Sequence, residues 1–222
     1  MDMPLSSQRR PEVIIFDCDG VLFDSRKANQ FFYNHLLEHF GKPSLTESDL
    51  AYVHMHTAGE SITYLFGDNH IRDAVLAYNR TLDYTPFFGL MEMEPGLTEF
   101  LNYIQPEIRA AISTNRSTTI GPLLRSFNLE SYFDIVISSL DVNKPKPDPE
   151  SVIKILDYFE VGPGQCLYVG DSEIDAQTAF RAGVPFVAYK NASLTAYLHV
   201  QGFSELTDFL EDSRKSGVKS KS

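Results

Sequence analysis

Val13-Ile14-Ile15-Phe16-Asp17-Cys18-Asp19-Gly20 joins four apolar residues to two acids and a glycine. A short, uninterrupted apolar run of this kind reads as a strand buried on both faces, the form strands take in a parallel sheet. In open α/β sheets, ligands bind at the carboxyl edge, where Asp17 and Asp19 fall. On their own, Asp and Gly also make ordinary turns. An EF-hand is excluded, because that loop needs Gly at its sixth position and Glu at its twelfth. Counting from Asp17, the glycine is fourth and the twelfth residue is Ala28.

Four further runs, Ala110–Ser113, Ile135–Ile137, Cys166–Val169 and Phe186–Tyr189, alternate with helix-like stretches, as in a parallel sheet covered by helices. Pro95 opens a helix whose Leu97, Phe100, Leu101 and Ile104 share a face, Asp148-Pro149 starts another, and Gly183 ends one beginning near Ser172. The expected fold class is α/β with a doubly wound parallel sheet. About 90 residues separate the first strand from the second, far beyond an ordinary crossover. Ala28, Phe32, Leu36 and Phe40 recur at steps of four, as do Ile71, Val75 and, with three- and four-residue steps, Tyr78 and Leu82. A shorter helix falls near Glu60–Phe66. These predict a small helical insert over 26–94, lying as a lid on a core formed by 1–25 and 95–222. Asp24 and Ser25 are expected to cap its first helix. Phe31, Phe32, Tyr33, Phe87 and Phe88 are expected to pack it, and the final SRKSGVKSKS to form a loose tail.

Composition narrows the function. At 222 residues with 43% hydrophobic and 22% charged residues, the chain suits a globular domain. Nineteen Lys and Arg against 30 Asp and Glu give a net charge of -11, which repels nucleic acid. No apolar run approaches the roughly 20 residues of a membrane span. The opening MDMPLSSQRRPEV does not read as a secretory signal, and Cys18 and Cys166 read as reduced, so a cytoplasmic location is expected.

Two other predicted strands also end in residues suited to phosphate chemistry: one runs into Thr114-Asn115, the other into Gly170-Asp171, with Asp175 four residues on. If these strands are neighbours, Asp17, Asp19, Thr114 and Asp171 share one edge. That edge offers carboxylates for a hard cation and a hydroxyl for a phosphate oxygen. Lys144, in a loop stiffened by prolines, adds positive charge, while Lys146 is expected to face solvent.

In order along the chain, DCDGVLFDS, AAISTN, NKPKPDP and VGDSEID resemble the nucleophile, Ser/Thr, lysine and acidic motifs of the haloacid dehalogenase superfamily of hydrolases. The likeness covers nearly the whole chain and is strongest to the phosphoglycolate phosphatase-like branch, with its helical cap and Rossmann-like core. It implies a phosphatase acting on a small phosphorylated metabolite through an aspartyl-phosphate. Asp17 would be the nucleophile and Asp19 the general acid and base. Mg²⁺ would be bound by Asp17, the Asp19 main-chain carbonyl and Asp171, with Asp175 supporting that shell. Thr114, Asn115 and Lys144 would hold the phosphoryl oxygens.

Within the superfamily an acid at Asp19 argues against dehalogenation, since halide leaves without a proton. Phosphoglycolate or a sugar phosphate is the expected substrate. A phosphomutase of the β-phosphoglucomutase kind would use the same residues. A phospho-acceptor signalling domain of the response-regulator type is a weaker match, because its phosphorylated Asp closes a later strand. The segment after His56 corresponds to a cap region that meets substrate in relatives, so Thr57 and Gly59 are candidate contacts. Arg116 could meet a second anionic group. His54 and His56, two residues apart, would not face one ion if both lay on a helix, and are expected to serve packing or the surface.

Overall fold

The computed structural model describes residues 10–67 and 70–219, with side chains as far as Arg214. Residues 1–9, including most of the stretch read against a secretory signal, lie outside the described residues. The strands are β1 (Val13–Phe16), β2 (Phe23–Asp24), β3 (Glu92–Met93), β4 (Arg109–Ser113), β5 (Ile135–Ile137), β6 (Cys166–Gly170), β7 (Phe186–Tyr189) and β8 (Leu198–Val200). Six of them form one parallel sheet in the order β5-β4-β1-β6-β7-β8.

Strand β1 lies at the centre, fully buried, and its alternation divides the core. Ile14 and Phe16 face one side, where they meet α6 (Leu97–Ile104), α7 (Ile120–Ser126) and α10 (Phe203–Lys219) through Phe100, Leu123 and Phe203. Val13 and Ile15 face the other, against α8 (Glu150–Phe159) and α9 (Glu173–Ala182) through Val152, Ile155 and Ala179. Since successive side chains on a strand point to opposite faces, a strand apolar at every position needs helices on both sides. The sheet is doubly wound, as expected.

Between β2 and β3 the chain forms α1 (Arg26–His39), α2 (Glu47–Met55), α3 (Ala58–Phe66), α4 (His70–Asn79) and α5 (Thr85–Phe88). Phe32, Leu36, Leu50, Val53, Ile62, Phe66 and Val75 make a separate apolar cluster among them. Strands β2 and β3 pair antiparallel, Phe23 opposite Met93, so the chain leaves and re-enters the sheet region side by side.

Several elements depart from the sequence expectation. Helix α2, not foreseen, starts at a reciprocal cap in which the Thr46 hydroxyl accepts from Asp49 N–H while the Asp49 carboxylate accepts from Thr46 N–H. Ser25 stands at the start of α1 but makes no side-chain cap; its hydroxyl donates to Asp19 instead. Asp24 does accept from Arg26 N–H at 3.1 Å. The expected loose tail is helical to Lys219, because α10 is nucleated by buried Phe203, Leu206 and Leu210 and extending a formed helix costs little. Residues 220–222 lie outside the described residues.

Candidate active site

The register of the sheet assembles the site. Phe16 pairs with Ile112 on β4 and Val169 on β6, so the next residues of all three strands emerge together at the carboxyl edge. Asp17 N–H donates to Val169 O at 2.9 Å, fixing the turn that follows β1. Gly20 in that turn has φ +80°, and a Cβ there would lie 2.1 Å from Asp171 Oδ2. Glycine is therefore required for Asp171 to approach the β1 turn. Oxygen atoms of Asp17, Asp171 and Asp175 lie within 4.8 Å of one another.

The three acids are held differently. Asp175 is fully buried; its Oδ1 accepts from Lys146 Nζ (2.6 Å) and Tyr168 OH (3.0 Å), and its Oδ2 from the Ser172 hydroxyl (2.6 Å). Asp17 Oδ1 accepts from Lys146 Nζ at 2.8 Å. The Asp171 carboxylate has no hydrogen-bond partner among the described residues.

Lys146, not Lys144, enters the site. Asn143 N–H and Lys144 N–H both donate to Glu150 at the start of α8, which leaves Lys144 exposed. The Asn115 side chain then clasps the Lys146 backbone, accepting from its N–H at 3.0 Å and donating to its carbonyl at 3.2 Å. This turns the Lys146 ammonium, only 4% of the residue being exposed, toward the acids. Both sequence expectations for these lysines are corrected, since the loop turns between them. The Asn115 side chain is spent on the clasp and on Met55 O at 3.4 Å, so any contact of Asn115 with phosphate falls to its main-chain amide.

Asp19 faces the cleft from the β1 turn, gripped by Arg116 through two parallel bonds, Nε to Oδ2 at 2.7 Å and Nη2 to Oδ1 at 2.6 Å. Thr114, buried at the end of β4, accepts the Arg116 N–H at 3.1 Å. Opposite them the cleft is walled by Phe32, Tyr33 and Phe87, which also help pack the helical segment, by Phe88 and Met91, which pack instead with the core of the sheet, and by His54, Met55, His56 and Ala58. Phe31 is more than half exposed.

Thr57 and Gly59 do not line the cleft. The Thr57 hydroxyl is occupied in a cap with Glu60, and Gly59 is exposed. Lying at the end of α2 and its cap, His54 and His56 do reach the cleft wall, His54 paired with Asn29 at 3.0 Å and His56 stacked on Tyr52. Nothing local in the sequence places His54 at the cleft, because its position depends on how α2 packs.

A family model for haloacid dehalogenase-like hydrolases matches residues 14–189. The chain belongs to that family. It is 32% identical over 182 residues to a phosphoglycolate phosphatase of Nitrosospira multiformis, covering 78% of this chain and 80% of that one. A phosphorylated carbohydrates phosphatase of Thermotoga maritima is 29% identical over 182 residues, covering 78% and 82%. Among solved structures, a HAD-superfamily hydrolase of subfamily IA, variant 1, from Geobacter sulfurreducens is 37% identical with a TM-score of 0.79, covering 90% of this chain and 99% of that one. The chain is thus a hydrolase of this superfamily, in the company of phosphatases.

In this hydrolase the acids differ in protonation. Burial, followed by the Asp175 charge, raises Asp17 to about 7 against the opposing pull of Lys146. Burial and the charges of Asp175 and Asp17 raise Asp171 to about 8. Partial burial pushes Asp19 up too, but the Arg116 guanidinium outweighs it and holds the carboxyl below the ordinary value. Crowded carboxylates that resist ionisation, one without a hydrogen-bond donor, suit a hard divalent cation with oxygen ligands. Asp17 and Asp171 fit as ligands. Asp175, with both oxygens already occupied, fits as their support. No helix among the described residues is long and apolar enough to cross a membrane.

Proposed function

We propose that this hydrolase is a Mg²⁺-dependent phosphatase that cleaves the phosphate monoester of a small metabolite through an aspartyl-phosphate on Asp17. The observation that carries this reading is a buried carboxylate at the end of the central strand, oriented by Lys146 at 2.8 Å and facing a cleft. Phosphoglycolate and sugar phosphates are the candidate substrates, in keeping with the two phosphatase relatives.

Asp17 attacks phosphorus, forming a carboxyl O–P bond as the ester O–P bond breaks. Asp19, after taking a proton from solvent as its pair with Arg116 loosens, passes it to the leaving oxygen and then accepts one from the water that hydrolyses the acyl phosphate. Asp17, Asp171 and the Asp19 main-chain carbonyl would hold Mg²⁺, which would supply the positive charge that lets a carboxylate approach a phosphate. Thr114 already accepts from Arg116 N–H, so its hydroxyl hydrogen is free to donate to a phosphoryl oxygen. Lys146 neutralises and orients the nucleophile. Residues 26–94 act as the lid, covering the cleft with α1, α2 and α5 and excluding water during transfer. We assign the enzyme to the cytoplasm on its two free buried cysteines.

The test is a screen of metabolite monophosphates with Mg²⁺, following free phosphate and isomeric product together. Phosphate release lost on Asp17→Asn supports the reading. Isomer formation with no net release would make the enzyme a mutase, and activity surviving Asp17→Asn would remove the mechanism.

A further inference from the structure

The Arg116–Asp19 pair sits at the heart of the cleft and conflicts with the task given to Asp19. Both Asp19 oxygens accept from the guanidinium, and Oδ1 also takes the Ser25 hydroxyl, so three of the four acceptor positions of the carboxylate are taken. The planar fork holds both oxygens toward Arg116, whereas a general acid turns one of them to the leaving group, a movement that loosens at least one of the two bonds. The Arg116 and Asp19 side chains are only 13% and 15% exposed. A guanidinium that loses half of a bidentate partner at that depth is costly, unless another anion takes its place.

The cleft offers a seat for such an anion and little else to satisfy Arg116. Of the residues lining it, the acids are Asp17, Asp19 and Asp171, all committed to the phosphoryl end. The other Arg116 contacts are weak, Thr119 Oγ1 at 3.4 Å and Met91 Sδ at 3.7 Å. His54 and the Asn29 amide paired with it lie on the facing wall. Arginine, histidine, amide and hydroxyl groups converging beside a general acid make a receptor for a compact oxyanion on the leaving-group side.

We propose that the substrate carries a second anionic group, carboxylate or phosphate, near its leaving oxygen, and that this group draws Arg116 from Asp19 and so frees the acid for proton transfer. The inference rests on the phosphatase reading and makes Arg116 the residue that determines specificity. A neutral ester leaves the clamp closed, so the anion raises kcat as well as lowering KM.

The experiment compares matched esters on the full chain with Mg²⁺: phosphoglycolate against its carboxamide, and ethanediol bisphosphate against the monophosphate, with phenyl phosphate as a general assay. The expected result is kcat/KM at least ~10-fold higher for the anionic member of a pair, the scale of a bond to a charged group. The pair with the larger ratio tells carboxylate from phosphate. Arg116→Gln should bring that ratio close to one, and Arg116→Lys should recover part of it. Equal turnover of neutral and anionic members by the unaltered enzyme would overturn the proposal without needing any variant to fold, as would an unchanged ratio in Arg116→Gln. Hydrolysis of phenyl phosphate alongside either result leaves the phosphatase reading standing. Hydrolysis of no ester removes both.

Discussion

Lys146 holds Asp17 and Asp175 with one ammonium group, at 2.8 and 2.6 Å, inside a site where its own side chain is 3% exposed. Replacing it by methionine leaves two buried carboxylates facing each other without a cation. Removing one partner of a buried charge pair costs about 3–5 kcal/mol. Urea unfolding of Lys146→Met without metal should show a loss of that order, and its phosphatase rate should fall with it. Lys144→Met, at an exposed position, should change stability by less than about 0.5 kcal/mol. The sequence offers both lysines in the one motif, and which of them turns inward is decided by one contact distant in the chain and one just beyond the motif. Asn115 clasps Lys146 from 31 residues away, and Glu150 draws in the backbone at Lys144. Asp17, Asp19, Thr114 and Asp171 were legible because a strand end fixes where the following residue goes. The grip of Arg116 on Asp19 spans 97 residues, and no local pattern announces it.

Among the elements, the turn after β1 carries the tightest constraint. Gly20→Ala would strain a φ of +80° and set a methyl group 2.1 Å from Asp171 Oδ2, so Asp171 must retreat. Mg²⁺ affinity, measured by titration calorimetry, should fall at least ~10-fold, as when the support of a metal ligand is lost. Helix α3 makes a contrast. Thr57→Ala removes a cap worth about 1 kcal/mol and should lower the melting temperature, yet it should leave kcat/KM nearly unchanged, because Thr57 lies off the cleft. Strong apolar periodicity made the buried strands, α1 and α6 readable. Helix α2 has little amphipathic pattern, and only its Thr46–Asp49 cap gave a local sign of it. Strand β8, Leu198-His199-Val200, is broken by an exposed histidine and lacks the continuous apolar run that made the equally short β5 readable.

Across the whole molecule, packing acids together at one sheet edge sets a pH dependence. Asp17 and Asp171 rise from 3.8 to about 7 and about 8, so the folded state favours their neutral forms. The sign follows: their contribution to stability is fully present below the ordinary carboxylate value and is lost as pH rises through 7 to 8. With metal removed, the melting temperature should therefore fall as pH rises from about 4 to about 8 and level off above that, and fall less in Asp171→Asn. Saturating Mg²⁺ should raise it more at the upper end, where the ligands are already ionised. The central claim is that phosphorus passes through Asp17, and rapid-quench labelling tests it most directly. Excess enzyme is mixed with substrate labelled in the phosphoryl group, quenched in acid within the first turnover and mapped by peptide. The account predicts transient label on the peptide containing Asp17, released by hydroxylamine as an acyl phosphate should be. Label on another residue, or free phosphate with no protein-bound label at any time, would contradict it.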